Sequence, residues 1–80
     1  MTKEEILAQV FTELRNVAPG CEPENADPDA DLREELDIDS MDFLNFIIAL
    51  HKALRIDIPE SDYPKLSTLK KIVAYLHDHS

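Results

Sequence analysis

An all-α fold is predicted for this 80-residue chain: a small four-helix bundle of three main helices and one short helix, with a long loop between the first and second. Three observations lead there. Apolar residues recur at helical spacing in three segments, and each segment opens at a residue that can cap free N–H groups. Prolines and acids gather between the first two segments, where large apolar residues are scarce.

The first helix is predicted to begin at Thr2, with Glu5 three positions on completing a capping box. Ile6, Leu7, Val10, Phe11, Leu14 and Val17 give it one apolar face, and Pro19-Gly20 stop it. From Ala18 to about Ile38 the chain is a connection long for so small a protein, which needs anchors; Leu32, Leu36 and Ile38 are the candidates, with a short helical turn around Ala30 to Leu36. A second helix starts at Asp39 or Ser40, capped by Asp39, and ends near Leu54, with Phe46, Leu50 and Leu54 facing inward. Ile56-Asp57-Ile58-Pro59 is extended, because a residue before proline avoids the helical region. Ser61-Asp62-Tyr63 forms one turn halted around Pro64. Ser67 or Thr68 caps the last helix, with Leu69, Ile72, Val73 and Leu76 inward and Lys70 and Lys71 outward.

Eighty residues make one domain, 1–80, near the lower size for a core without a staple. No stretch approaches the ~20 apolar residues of a membrane span, and the polar start Met1-Thr2-Lys3-Glu4-Glu5 is unlike a secretory signal, so the expected setting is the cytoplasm and the expected state a monomer. Cys21 is the only cysteine, which excludes an intrachain disulfide and a multi-cysteine metal site. A net charge of −9 repels nucleic acid and anionic membranes, and points to basic protein partners. The acids crowd ahead of Ser40: Glu22, Glu24, Asp27, Asp29, Asp31, Glu34, Glu35, Asp37, Asp39 and Asp42, with Arg33 the one base among them.

Ser40 is the candidate functional residue. A hydroxyl in the first turn of a helix is exposed, fixed in direction, and set where free N–H groups and the helix dipole favour negative charge, so a phosphodiester attached to it is accommodated. Nothing in the sequence activates Ser40 as a hydrolytic nucleophile. His51 lies eleven residues on, about three turns along the same helix, and His77 and His79 lie near the C-terminal end of the sequence. No catalytic residue is therefore assigned. An EF-hand loop begun at Asp27 would put Leu32 at the glycine position and Ile38 at the glutamate position, and the histidines lack ligand spacing, so no metal site is predicted.

The stretch from Asp31 to Leu76 resembles acyl carrier proteins, whose attachment motif Gly-x-Asp-Ser-Leu reads Asp37-Ile38-Asp39-Ser40-Met41 in this chain. Leu36, Asp42, Ala49-Leu50, Ile56-Asp57-Ile58-Pro59 and Leu66-Ser67-Thr68-Leu69 fall at the family's spacings without a gap. The resemblance implies that Ser40 carries 4'-phosphopantetheine, added by a phosphopantetheinyl transferase, and that acyl groups ride on the arm's thiol to enzymes of fatty acid, lipid or polyketide biosynthesis. Asp39 is then a motif residue beside the attachment point. Glu34, Glu35, Asp37, Met41, Asp42 and Ile48 are the candidate docking surface for acyl-transferring enzymes with basic patches, Met41 and Ile48 lying seven apart on one helical line. Leu44 fits that strip, an acyl-binding interior or plain core equally well. Members serving general fatty acid synthesis have an acidic second helix, whereas Asn45, His51 and Lys52 stand at the matching positions here and Phe43 replaces a small polar residue. A specialised carrier with a narrower partner set is the expectation. The rival reading is an unmodified acidic helical module of degenerate carrier fold, which binds a basic partner and uses Ser40 only as a cap or a phosphorylation target.

Overall fold

The structure, a computed structural model, describes residues 1–79. Helix α1 runs Lys3–Val17, a short α2 spans Leu32–Glu35, α3 runs Ser40–Leu54 and α4 Leu69–Asp78. Two 3-10 segments, Pro23–Asn25 and Glu60–Leu66, complete the element order. Helix α1 packs against α3 and α4, and the Glu60–Leu66 segment packs against α4 as the fourth rod of the bundle.

The N-terminal signals act as predicted. Thr2 accepts from Glu5 N–H while the Glu5 carboxylate accepts from Thr2 N–H, so the capping box is closed in both directions. Thr68, not Ser67, caps α4, accepting from Lys71 N–H at 3.1 Å. The core joins Ile6, Val10 and Leu14 of α1 to Phe46, Ile47 and Leu50 of α3 and to Leu69, Ile72 and Leu76 of α4. Of the inward assignments on α3, Phe46 and Leu50 are buried, and Leu54, half-buried at the helix end, packs against the core; Ile47, buried beside Phe46, joins them. Ile47 is drawn in because Ile56 and Ile58, both buried, bring the following extended segment back along α3.

Pro64 does not halt the segment after Pro59. The 3-10 helix continues from Glu60 through Pro64 to Leu66, and buried Leu66 ties it to the core. One Pro costs little in so short an element, which forms few internal bonds that a missing N–H could break.

The long connection is anchored at the three predicted places and at others. Leu32 and Ile38 are buried and Leu36 packs against the core, while Pro23 is an additional buried anchor. Backbone bonds then stitch the connection to the start of α4: Leu32 N–H donates to Ser67 O at 2.9 Å, and Lys70 N–H to Pro28 O at 3.1 Å, around an isolated Asp31–Thr68 bridge. Buried loop backbone finds its partners this way.

Candidate functional site

Three consecutive local devices place Ser40. Asp31 starts α2, its Oδ1 accepting from Arg33 N–H at 3.0 Å and Glu34 N–H at 3.4 Å. Helix α2 then stops in a left-handed turn: Asp37 has φ 53°, and Ile38 N–H donates back to Arg33 O at 3.0 Å, the six-to-one bond of a Schellman motif. Ile38 folds inward, buried like Leu32 on the turn it closes. Asp39 immediately caps α3, accepting from Asp42 N–H at 2.8 Å through Oδ1. Ser40 is therefore the first residue of α3, exposed and pointing out of a corner fixed on both sides.

The Ser40 hydroxyl takes part in no hydrogen bond among the described residues, and neither do the N–H groups of Ser40 and Met41, the first-turn donors that a helix cannot satisfy internally. The hydroxyl borders a cavity of about 350 Å³ between α3 and the Glu60–Leu66 segment, lined also by Asp31, Arg33, Phe43, Leu44, Tyr63, Pro64 and Ser67. Tyr63, Pro64 and Ser67 had no sequence signal linking them to Ser40, since only the return of the 3-10 segment along α3 brings them there. Leu44, left open by the sequence, is half-buried on this cavity wall.

Of the remaining candidates, Glu34, Glu35, Asp37 and Asp39 are exposed around the α2–α3 corner and Asp42 is half-buried one turn into α3. Met41 and Ile48 are 63% and 40% exposed, unlike the other large apolar residues of α3. His51 has a local partner: its Nδ1 lies 2.7 Å from Ile56 O, across the left-handed turn at Arg55 (φ 56°) that ends α3. Among the described residues no group of three or more His, Cys, Asp or Glu side chains is arranged to hold a metal ion. No helix is long and apolar enough to cross a membrane.

The model of the phosphopantetheine attachment site matches residues 7–76, nearly the whole chain. The chain belongs to the acyl carrier protein family. An acyl carrier protein of Rubrobacter xylanophilus is 33% identical over 79 residues, covering 99% of this chain and 96% of its relative. One of Campylobacter hominis is 32% identical over 73 residues, covering 88% and 92%. A solution structure from Anaplasma phagocytophilum assigned to the acyl carrier proteins superposes with a TM-score of 0.86 at 27% identity, covering 100% of this chain and 93% of that one. Acyl carrier proteins are carriers and not catalysts, and membership implies a covalently attached 4'-phosphopantetheine and partners that handle acyl groups. The residues fit such a group: a free, exposed hydroxyl stands beside unsatisfied N–H donors and an open cavity with apolar walls.

Proposed function

We propose that Ser40 is the attachment point of 4'-phosphopantetheine, and that the chain delivers acyl groups as thioesters to partner enzymes of fatty acid, lipid or polyketide biosynthesis. The observation that carries this is the free hydroxyl of Ser40 at the first position of α3. When bound, the group supplies a thiol on a long arm, which a serine hydroxyl alone cannot offer. The protein's own residues only present it. Asp39 keeps α3 starting where it does, Asp37 supplies the left-handed turn before it, and the N–H groups of Ser40 and Met41 favour an anion on the hydroxyl. The transferase that attaches the group, and the enzymes that read it, meet Glu34, Glu35, Asp37, Met41, Asp42 and Ile48, an acidic rim around two exposed apolar contacts. Asn45, His51 and Lys52 make the rest of α3 less acidic than general fatty acid enzymes read, which supports a specialised partner set.

Intact mass decides the assignment. Incubation with coenzyme A and a broadly active phosphopantetheinyl transferase is expected to add one phosphopantetheine to the wild type and none to Ser40→Ala, whose fold is kept because the Ser40 side chain is exposed and makes no hydrogen bond among the described residues. Addition to Ser40→Ala, or none to the wild type, would refute it. The unmodified interaction module is not favoured by the family match.

A further inference from the structure

Arg33 is the one base in the acidic run from Glu22 to Asp42, and its charge has no assigned use. Its side chain is exposed, and its guanidinium enters no ion pair or hydrogen bond among the described residues, although Asp29, Asp31, Glu34, Glu35 and Asp37 are close in sequence. Asp31 engages its Oδ1 in the cap of α2, while remaining exposed. The Arg33 backbone is fixed at both ends, its N–H on Asp31 Oδ1 and its carbonyl on Ile38 N–H. Arg33, with Asp31, borders two cavities. One, of about 350 Å³, is bordered by Ser40; the other, of about 420 Å³, is bordered by Glu34, Asp37 and Ile38.

We infer that Arg33 is a positioning residue that pairs with the phosphodiester of the arm on Ser40 and holds the near end of the arm against the carrier. This rests on the proposal that Ser40 is the attachment point. The phosphorus would be bonded to Ser40 Oγ itself, so the anion must lie beside the cavity that Arg33 also borders. The guanidinium offers a planar fork suited to two phosphate oxygens, from the side, while the N–H groups of Ser40 and Met41 approach along the axis of α3. Phe43, Leu44, Tyr63 and Pro64 then give the arm an apolar wall to lie on. Both charges persist across the ordinary pH range, so the contact is sensitive to salt and insensitive to pH. A partner's basic patch competes with Arg33 for the same phosphodiester.

The test is phosphorus NMR on the loaded carrier, with loading first verified by intact mass. Wild type, Arg33→Ala, Arg33→Lys and Lys52→Ala are compared at low salt and at about 1 M salt, where screening acts within about 3 Å. Lys52 is exposed on the last turn of α3, so its removal takes away one positive charge far from the site. The expected result is a wild-type line that moves with salt toward the position of Arg33→Ala, an Arg33→Ala line that hardly responds, Lys52→Ala behaving as wild type, and Arg33→Lys between them. Coincident lines for wild type and Arg33→Ala at both salts overturn the pairing and leave the attachment point standing. So does a Lys52→Ala shift as large as that of Arg33→Ala, which would mark a general field. A wild type that gains no mass overturns both.

Discussion

Ser40 depends on its two acidic neighbours for its position more than on itself. Asp37 sits at φ 53°, where most side chains are strained and Asp and Asn are better tolerated. Asp37→Gly should therefore fold at least as stably as the wild type, whereas β-branched Asp37→Val should lose about 1–2 kcal/mol in denaturant titration. Equal midpoints for the two variants would mean the turn relaxes. Asp39→Ala removes the cap on Asp42 N–H and should cost about 1 kcal/mol. Far from this corner, Tyr75 OH donates to Asp62 Oδ2 at 2.7 Å, and the Asp62 carboxylate also pairs with Lys65. The bond from Tyr75 holds Asp62 below its usual range, so its contribution to stability is present above pH 3.8 and fades as pH falls through the lowered value. Loss of water around the phenol, then the Asp62 charge, push Tyr75 from 10.0 up to about 12, so its contribution is complete below pH 10 and fades as pH rises toward 12. Tyr75→Phe should weaken both limbs of the curve of melting temperature against pH; an unchanged curve would show the bond is not held in solution.

At the scale of elements, the residues of α3 divide into two sets. Phe46, Ile47 and Leu50 are fully or almost fully buried, while Met41 and Ile48 remain open to solvent on the same helix. Phe46→Ala should cost about 3–5 kcal/mol. A chain of this length has about 4–12 kcal/mol in all, from ~0.05–0.15 kcal/mol per residue. That variant should lose from about a quarter to all of this stability, read as a markedly lower melting temperature by circular dichroism. Met41→Ala and Ile48→Ala should keep the melting temperature within a few degrees and instead reduce kcat/KM for transfer of the arm. Parallel losses in stability would place these two residues in the core rather than on a docking surface. The α2 turn and the α4 start also act together, since Leu32 and Lys70 donate backbone bonds across the gap between them. The corner that bears Ser40 is thereby tied to the helix furthest along the chain.

Over the whole molecule the net charge of −9 opposes compaction, and most of the uncompensated acid lies at the end that bears Ser40. Raising salt should raise the melting temperature, because surface repulsion is screened before any buried contact is affected. On the proposed function, the same field steers basic partners. Glu35→Gln or Asp42→Asn should slow arm transfer by a basic transferase and flatten its dependence on salt, and rates with an unchanged salt slope would remove those residues from the docking surface.

The sequence by itself determined the main helices, the caps of α1 and α3, three anchors of the long connection and the serine at the head of α3. Those are local: Thr2, Asp39 and Thr68 act within three residues, and the spacing of Ile6, Val10 and Leu14 marks one face whatever packs on it. It could not show which residues meet across the chain. Ile47 joins the core, Pro64 lies within a 3-10 helix, and Tyr63, Pro64 and Ser67 stand around Ser40. Each depends on how the segment after Pro59 turns back along α3. That path is settled by burying Ile56, Ile58 and Leu66 together with both helices, a cooperative choice that no local pattern encodes. Tertiary structure likewise set Arg33, whose guanidinium is unpaired among the described residues, on the cavity that Ser40 borders, because α3 and the returning 3-10 segment enclose that space together.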